Sequence, residues 1–156
     1  MSNTKAFAFI LGATLFSVLF ISCLEEEERV SPDIRTIQQY IDAKMLTDVQ
    51  VDPNGLHYII RDEGVQESAF PSDTSIVNMS YEGRLINDII FDRRDSVDVD
   101  LLDVVTGFRQ GVRKIREGGE IKLIIPPNLA YGSQARNLIP AGSILIFDIK
   151  LHSVVN

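Results

Sequence analysis

The sequence predicts an α+β domain in which several antiparallel strands pack against one short internal helix. Beyond Asn54, apolar residues alternate with polar ones or form short runs, as in Val77-Asn78-Met79-Ser80-Tyr81. Gly, Pro and Asp punctuate these runs, as at Pro71-Ser72-Asp73 and Pro126-Pro127. One segment breaks the strand period: Phe108, Val112 and Ile115 recur at helical spacing.

The chain begins with an address. Residues Ala6 to Ile21 form an uncharged apolar run preceded by Lys5. The run is short for a bilayer span, which needs about 20 apolar residues, and suits the core of a secretory signal. Cys23, the one cysteine, lies where the run stops. Phe20-Ile21-Ser22-Cys23 resembles the bacterial lipobox, in which a small residue precedes a cysteine that is lipidated and becomes the new N-terminus. Phe20 departs from its usual Leu. This implies a signal peptide over 1–22 and a membrane anchor at Cys23. Glu25 to Glu28 then open an acidic linker over 23–32. That run reads as a solvated, self-repelling spacer; it also resembles the surface-export signals of some Gram-negative lipoproteins. The expected location is the bacterial cell envelope, lipid-anchored at the outer membrane, on its periplasmic side or exposed at the surface.

Residues 33–53 form an expected helical extension. Ser31 is a candidate cap with Pro32 in the first turn. Ile34, Ile37, Ile41 and Met45 predict an amphipathic helix of about three turns. Asp52-Pro53-Asn54-Gly55 is a turn signal, and the expected domain runs over 54–156. Leu56 to Ile60 is its first strand, followed by a polar stretch with Gly64. Thr74 to Leu85 is the next, with Val77, Met79 and Tyr81 on one face. Ile89-Ile90-Phe91 is apolar, and Val97 to Leu101 alternates with acids as a half-exposed strand should. Gly118-Gly119 ends the helix of Phe108. Glu120 to Ile125 is a strand stopped by two prolines, and Ser143 to Val155 is the last and most apolar one.

Composition narrows the chemistry. The formal charge of −7 and the absence of a dense Lys/Arg cluster argue against nucleic acid. Arg109, Arg113 and Lys114 read as a solvated helix face. A single cysteine excludes an intrachain disulfide. His57 and His152 lie apart in strand-like runs and read as surface residues. The acids from Asp88 to Asp103 lack the central Gly and terminal Glu of an EF-hand loop. No phosphate loop, metal-binding histidine pair or nucleophile elbow is present. No cofactor or metal is expected.

Four ordered segments carry a family resemblance. They are Val77-Asn78-Met79-Ser80-Tyr81-Glu82-Gly83, Ile90-Phe91-Asp92, Val104-Val105-Thr106-Gly107-Phe108, and Pro126-Pro127-Asn128-Leu129-Ala130-Tyr131-Gly132 continued by Leu138-Ile139-Pro140 and Leu145-Ile146-Phe147-Asp148. This series resembles the FKBP-type peptidyl-prolyl cis/trans isomerases, over about Asn54 to Val155. The resemblance implies a curved antiparallel sheet wrapped on the short helix. It also implies a pocket lined by Tyr81, Phe91, Asp92, Val104, Val105, Phe108, Tyr131, Leu138, Ile139 and Phe147, taking proline-containing polypeptides. Phe108 would be its floor, with Tyr81, Phe91 and Phe147 as walls. Val105 N–H and the Tyr131 hydroxyl would face substrate carbonyls, and Asp92 would organise the edge beside Tyr81 rather than act as a base.

The chain departs from the family at several points. Trp is most common where Phe108 stands, and aromatics where Val97 and Val99 stand. The stretch from Asp92 to Gly107 is several residues shorter, the Tyr131–Pro140 loop one shorter, and the arginine partner of Asp92 is Arg93 or Arg94. Two functions therefore stand side by side: an isomerase assisting folding, or an FKBP-fold module that binds proline-containing segments with little turnover. The oligomeric state is not legible in the sequence.

Overall fold

The structure is a computed structural model and describes residues 35–155. Cys23, the apolar run, the acidic linker, Ser31, Pro32 and Ile34 lie outside the described residues. In chain order the elements are α1 (Ile37–Ala43), β1 (Gln50–Val51), β2 (His57–Asp62), β3 (Ile76–Leu85), β4 (Ile90–Asp100), α2 (Thr106–Val112), β5 (Glu120–Ile125) and β6 (Leu145–Val154). A single 3-10 turn, Pro127–Leu129, follows β5. The strands form one antiparallel sheet in the order β1-β2-β5-β6-β3-β4.

One face of this sheet holds the main core. Val77, Met79 and Leu85 of β3, Ile121, Leu123 and Ile125 of β5, and Leu145, Phe147, Ile149 and Leu151 of β6 bury there with Phe108, Val112 and Ile115. The period-two alternation on β3 and β6 produces this face directly. Helix α2 presses close to it. A Cβ at Gly107 would collide with Ile125, and one at Gly111 with Leu123. The two glycines thus set how near the helix lies to β5. The helix stops at Val112 rather than running to Gly118-Gly119, and its C-cap is Arg113. Ile115 is buried from the turn beyond it.

The opposite face is also covered, by α1. Tyr40 of α1 is 2% exposed and packs with Ile124 and Ile146. Ile37, Ile41, Leu46, Ile86 and Ile144 surround this second cluster. The helix is shorter than its apolar spacing suggested, at seven residues. Thr36, not Ser31, caps it: Thr36 accepts from Gln39 N–H at 3.1 Å, and the Gln39 side chain accepts from Thr36 N–H at 3.1 Å. This reciprocal pair is a capping box. Strand β1 also belongs to the sheet, pairing Gln50 with Tyr58. The segment 33–53 thus contributes one edge strand and a packed helix.

Beside the Tyr40 cluster the same face carries charge. Lys122 and Asp148 stand opposite each other on β5 and β6, 2.8 Å apart, with Lys122 only 5% exposed. Burial lowers the Lys122 pKa, and the Asp148 carboxylate opposes that shift. Arg61 and Arg84 approach Asp148 at 3.1 and 3.2 Å, and Arg84 also meets Glu82, which Arg93 reaches from β4.

Strand β4 is one continuous edge strand where the sequence suggested two short pieces. It carries two register shifts against β3, one between Gly83 and Arg84 and one between Met79 and Tyr81. Each inserts one extra residue on β4, which bends and twists it. The second surrounds Ser96, at φ 50°, whose N–H donates to Ser80 Oγ at 3.1 Å.

Removing the Tyr40 ring uncovers Ile124 and Ile146. Tyr40→Ala is expected to cost about 3 kcal/mol, as large aromatic truncations in cores do. Urea unfolding checks this: the midpoint falls with the slope unchanged. A change under about 0.5 kcal/mol, the size of an ordinary surface substitution, would show that α1 is not part of the folded unit.

Candidate functional site

The site grows from the edge of the main core, where α2 meets β3, β4 and β6. Phe108 projects from α2 and is 3% exposed. Its ring lies 4.9 Å from Phe147 and 5.8 Å from Tyr81, at interplanar angles of 84° and 78°. Phe147 meets Phe91 at 5.5 Å and 85°, and Tyr81 at 6.1 Å and 65°. Each contact is edge-to-face, the arrangement ring quadrupoles favour. Gly83 makes it possible, since a Cβ there would lie 2.7 Å from Phe91 and 2.8 Å from Phe147.

Successive strand residues normally point to opposite faces. The shift at Gly83–Arg84 breaks that rule, so that Phe91 and Asp92 line the same cavity. The cavity has a volume of about 130 Å³. Of the residues the sequence nominated, Tyr81, Phe91, Asp92, Val104, Val105, Phe108, Tyr131 and Phe147 line it. Leu138 and Ile139 instead line an adjoining groove of about 280 Å³, which shares Phe91, Asp92 and Tyr131. Leu138 is 64% exposed there, while Ile139 is buried.

Val99 and Asp103 line the cavity as well. The alternation on β4 could have found Val99, which pairs with Val77. Asp103 gave no signal beyond its place in a run of acids. Arg94, Arg136 and Asn137 line the groove and were not nominated as lining residues.

The polar edge is specific. Tyr81 donates its hydroxyl proton to Asp92 Oδ2 at 2.6 Å, and Arg94 Nε sits 3.2 Å from Asp92 Oδ1. Arg94 is therefore the arginine beside Asp92, while Arg93 pairs with Glu82. Burial, then the hydrogen bond and charge of Asp92, push the Tyr81 pKa up to about 12. Val105 opens α2 in an extended conformation, φ −60° and ψ 149°. Tyr131 follows the Pro127–Leu129 turn and is 37% exposed. The site thus offers an aromatic-walled cavity with two acids, Asp92 and Asp103, and the donor-bearing residues Val105 and Tyr131 in its lining. The described residues contain no group of three or more metal-ligating side chains.

The sequence model described as FKBP-type peptidyl-prolyl cis-trans isomerase matches residues 67–152. The chain belongs to this family. FkpA of Buchnera aphidicola subsp. Acyrthosiphon pisum, described as an FKBP-type peptidyl-prolyl cis-trans isomerase, is 44% identical over 71% of this chain and 47% of its own. FkpA of Escherichia coli K12 is 39% identical over 68% of this chain and 40% of its own. This FKBP chain therefore spans less than half the length of those relatives. The crystal structure of E. coli FkpA superposes with a TM-score of 0.69 at 32% identity, covering 75% of this chain and 56% of that one. A peptidyl-prolyl cis-trans isomerase from Pseudomonas syringae pv. tomato superposes at 0.67 with 25% identity, covering 76% and 90%. The curved sheet around α2 is the FKBP fold.

The Tyr81 shift sets a pH dependence. The folded state holds the phenol proton more tightly than the unfolded chain, so this stabilisation is complete below about pH 10 and is lost as the pH rises through about 12. Ultraviolet titration of tyrosinate is expected to show an ionisation near pH 12 that Tyr81→Phe removes, while Tyr40, whose pKa burial also raises, still titrates late in that variant. Asp92→Asn is expected to bring the Tyr81 ionisation part of the way down, because burial, the larger cause, stays. A Tyr81 that ionises with an ordinary exposed tyrosine would mean that the Tyr81–Asp92 contact does not form in solution.

Proposed function

We propose that this chain isomerises X–Pro bonds of polypeptides in the cell envelope, where a lipid on Cys23 holds it to the membrane. The observation that carries the catalytic reading is the aromatic-walled cavity that Val105 and Tyr131 also line. Membership of the FKBP family supports it.

Amide resonance resists rotation of an X–Pro bond with a barrier of about 18–20 kcal/mol. As the bond twists, the nitrogen loses conjugation and the carbonyl dipole shrinks. A dry pocket that cradles the proline ring disfavours the planar, well-hydrated amide relative to the twisted one. Phe108 would form the floor under the ring, with Tyr81, Phe91 and Phe147 around it. Tyr131 O–H and Val105 N–H would hold the flanking carbonyls so that rotation is confined to one bond. Asp92 is engaged by Tyr81 and Arg94 and would keep the wall in place. No proton transfer or covalent step is required.

The envelope reading rests on the sequence before the described residues: an apolar leader that ends at the chain's one cysteine. Wild-type protein is expected to incorporate labelled fatty acid, and Cys23→Ala to be exported without it. Wild type that takes up no label would remove the anchor from this proposal.

A protease-coupled assay on Ala-X-Pro-Phe peptides tests the activity. Wild type is expected to accelerate isomerisation. Tyr131→Phe is expected to lower kcat/KM about five-fold, the worth of roughly 1 kcal/mol of hydrogen bonding. Phe108→Trp, which offers the proline a larger flat face, is expected to raise it a few-fold, corresponding to roughly 0.5–1 kcal/mol. Peptides that bind wild type without any acceleration would replace this reading with a binding module.

A further inference from the structure

The groove beside the aromatic cavity carries a charge that the cavity chemistry does not use. Three charged residues line it: Asp92, Arg94 and Arg136. Asp92 is matched, receiving the Tyr81 proton and pairing with Arg94. Arg136 is not. Its guanidinium lies over the Tyr131 ring, 5.7 Å from the centroid, and no described carboxylate pairs with it. Arg61 and Arg84 meet Asp148, Arg93 meets Glu82 and Arg113 meets Asp73; Arg116, away from the groove, donates instead to Gln66 and lies over Phe70.

The backbone fixes where this residue leaves the loop. Arg136 N–H donates to Ile139 O at 2.8 Å, and Ile139 N–H donates to Arg136 O at 2.7 Å. This closes the loop, and Ile139 anchors it by burying in the main core. Arg136 is thus held beside Tyr131 at the cavity mouth, on a chain whose net charge is −7. Asp103 lines the cavity but not the groove, and no described cation pairs with its carboxylate.

We propose that the Arg136 groove is a specificity subsite for an acidic side chain next to the proline, so that the preferred polypeptides carry Asp or Glu adjacent to the isomerised bond. This rests on the isomerase reading of the cavity. Arg136 acts on recognition: its planar fork suits a carboxylate, and it adds attraction in an exposed groove where one ion pair is worth a modest factor. Its position over Tyr131 places the bound carboxylate within reach of the residue assigned to a substrate carbonyl.

The test uses peptides that differ only in Glu or Lys, placed before the proline in one series and after it in another. Exchange NMR reads turnover without a protease, and titration of the same peptides reads binding. In one of the two series the wild type is expected to prefer Glu over Lys by about two- to five-fold, the size of an exposed ion pair. The preference is expected to shrink at high salt, which screens exposed charges. Arg136→Glu is expected to invert it, and Arg136→Lys to keep its direction. Because Arg136 is exposed, these variants are expected to fold, and ratios within each variant cancel changes in overall rate. Turnover with no Glu preference in either series, or a preference that survives Arg136→Glu, would overturn the subsite. Absence of turnover together with a Glu preference in binding that Arg136→Glu inverts would overturn the isomerase reading and leave the subsite standing. Absence of both would overturn both.

Discussion

The close approach of helix α2 to the sheet is the constraint on which the site depends. Gly107 and Gly111 face Ile125 and Leu123 where any side chain would collide. A bulkier helix would have to lift off β5. Phe108 would then leave its edge-to-face contacts with Tyr81 and Phe147, and the Val105 N–H at the helix start would move with it. Packed interiors do not absorb such shifts continuously. One backbone contact therefore sets both the apolar floor and a polar donor of the cavity.

A second constraint lies on β4. An edge strand can carry an extra residue without breaking the interior of a sheet, because only one neighbour must adjust. The extra residue opposite Gly83–Arg84 turns Phe91 and Asp92 toward the same cavity. A regular strand would have given the site either the ring or the carboxylate. Tyr81 then engages Asp92 at 2.6 Å, which ties β3 to the bent part of β4 through side chains as well as through the ladder. The aromatic wall and its polar edge are consequences of the same irregularity.

The two faces of the sheet are held differently. The inner face is continuous apolar packing that includes the rings of the site. The outer face divides between the Tyr40 cluster under α1 and the Lys122–Asp148 pair with its arginines. Breaking a buried pair from one side is costly, because the remaining charge is left unmatched. The ladder links β2, β3, β5 and β6 across the face away from the cavity. Rigidity of the strands that carry Tyr81 and Phe147 therefore draws on groups on the opposite face of the same strands.

The period of the apolar residues marked strands β2, β3, β5 and β6 and the helix that carries Phe108, but neither β1 nor the continuity of β4. Period-two runs such as Val77-Asn78-Met79-Ser80-Tyr81, and the helical spacing of Phe108 and Val112, are local properties set by the backbone geometry of single elements. The ordered motifs from Tyr81 to Phe147 were legible for a different reason: together they resemble the FKBP series, and taken singly each reads as ordinary core. What only the tertiary structure decided depends on juxtaposition. Whether α1 packs on the sheet turned on Ile124 and Ile146, which lie some eighty residues or more beyond Tyr40 in the chain. The choice of Arg94 over Arg93 turned on strand facing after a bulge that no local pattern announces. The division of Leu138 and Ile139 into a separate groove, and the pairing of that groove with Arg136, arose from where a loop closes on itself. Local periodicity reports which face of an element is apolar; it carries no information about which distant charge that face will meet.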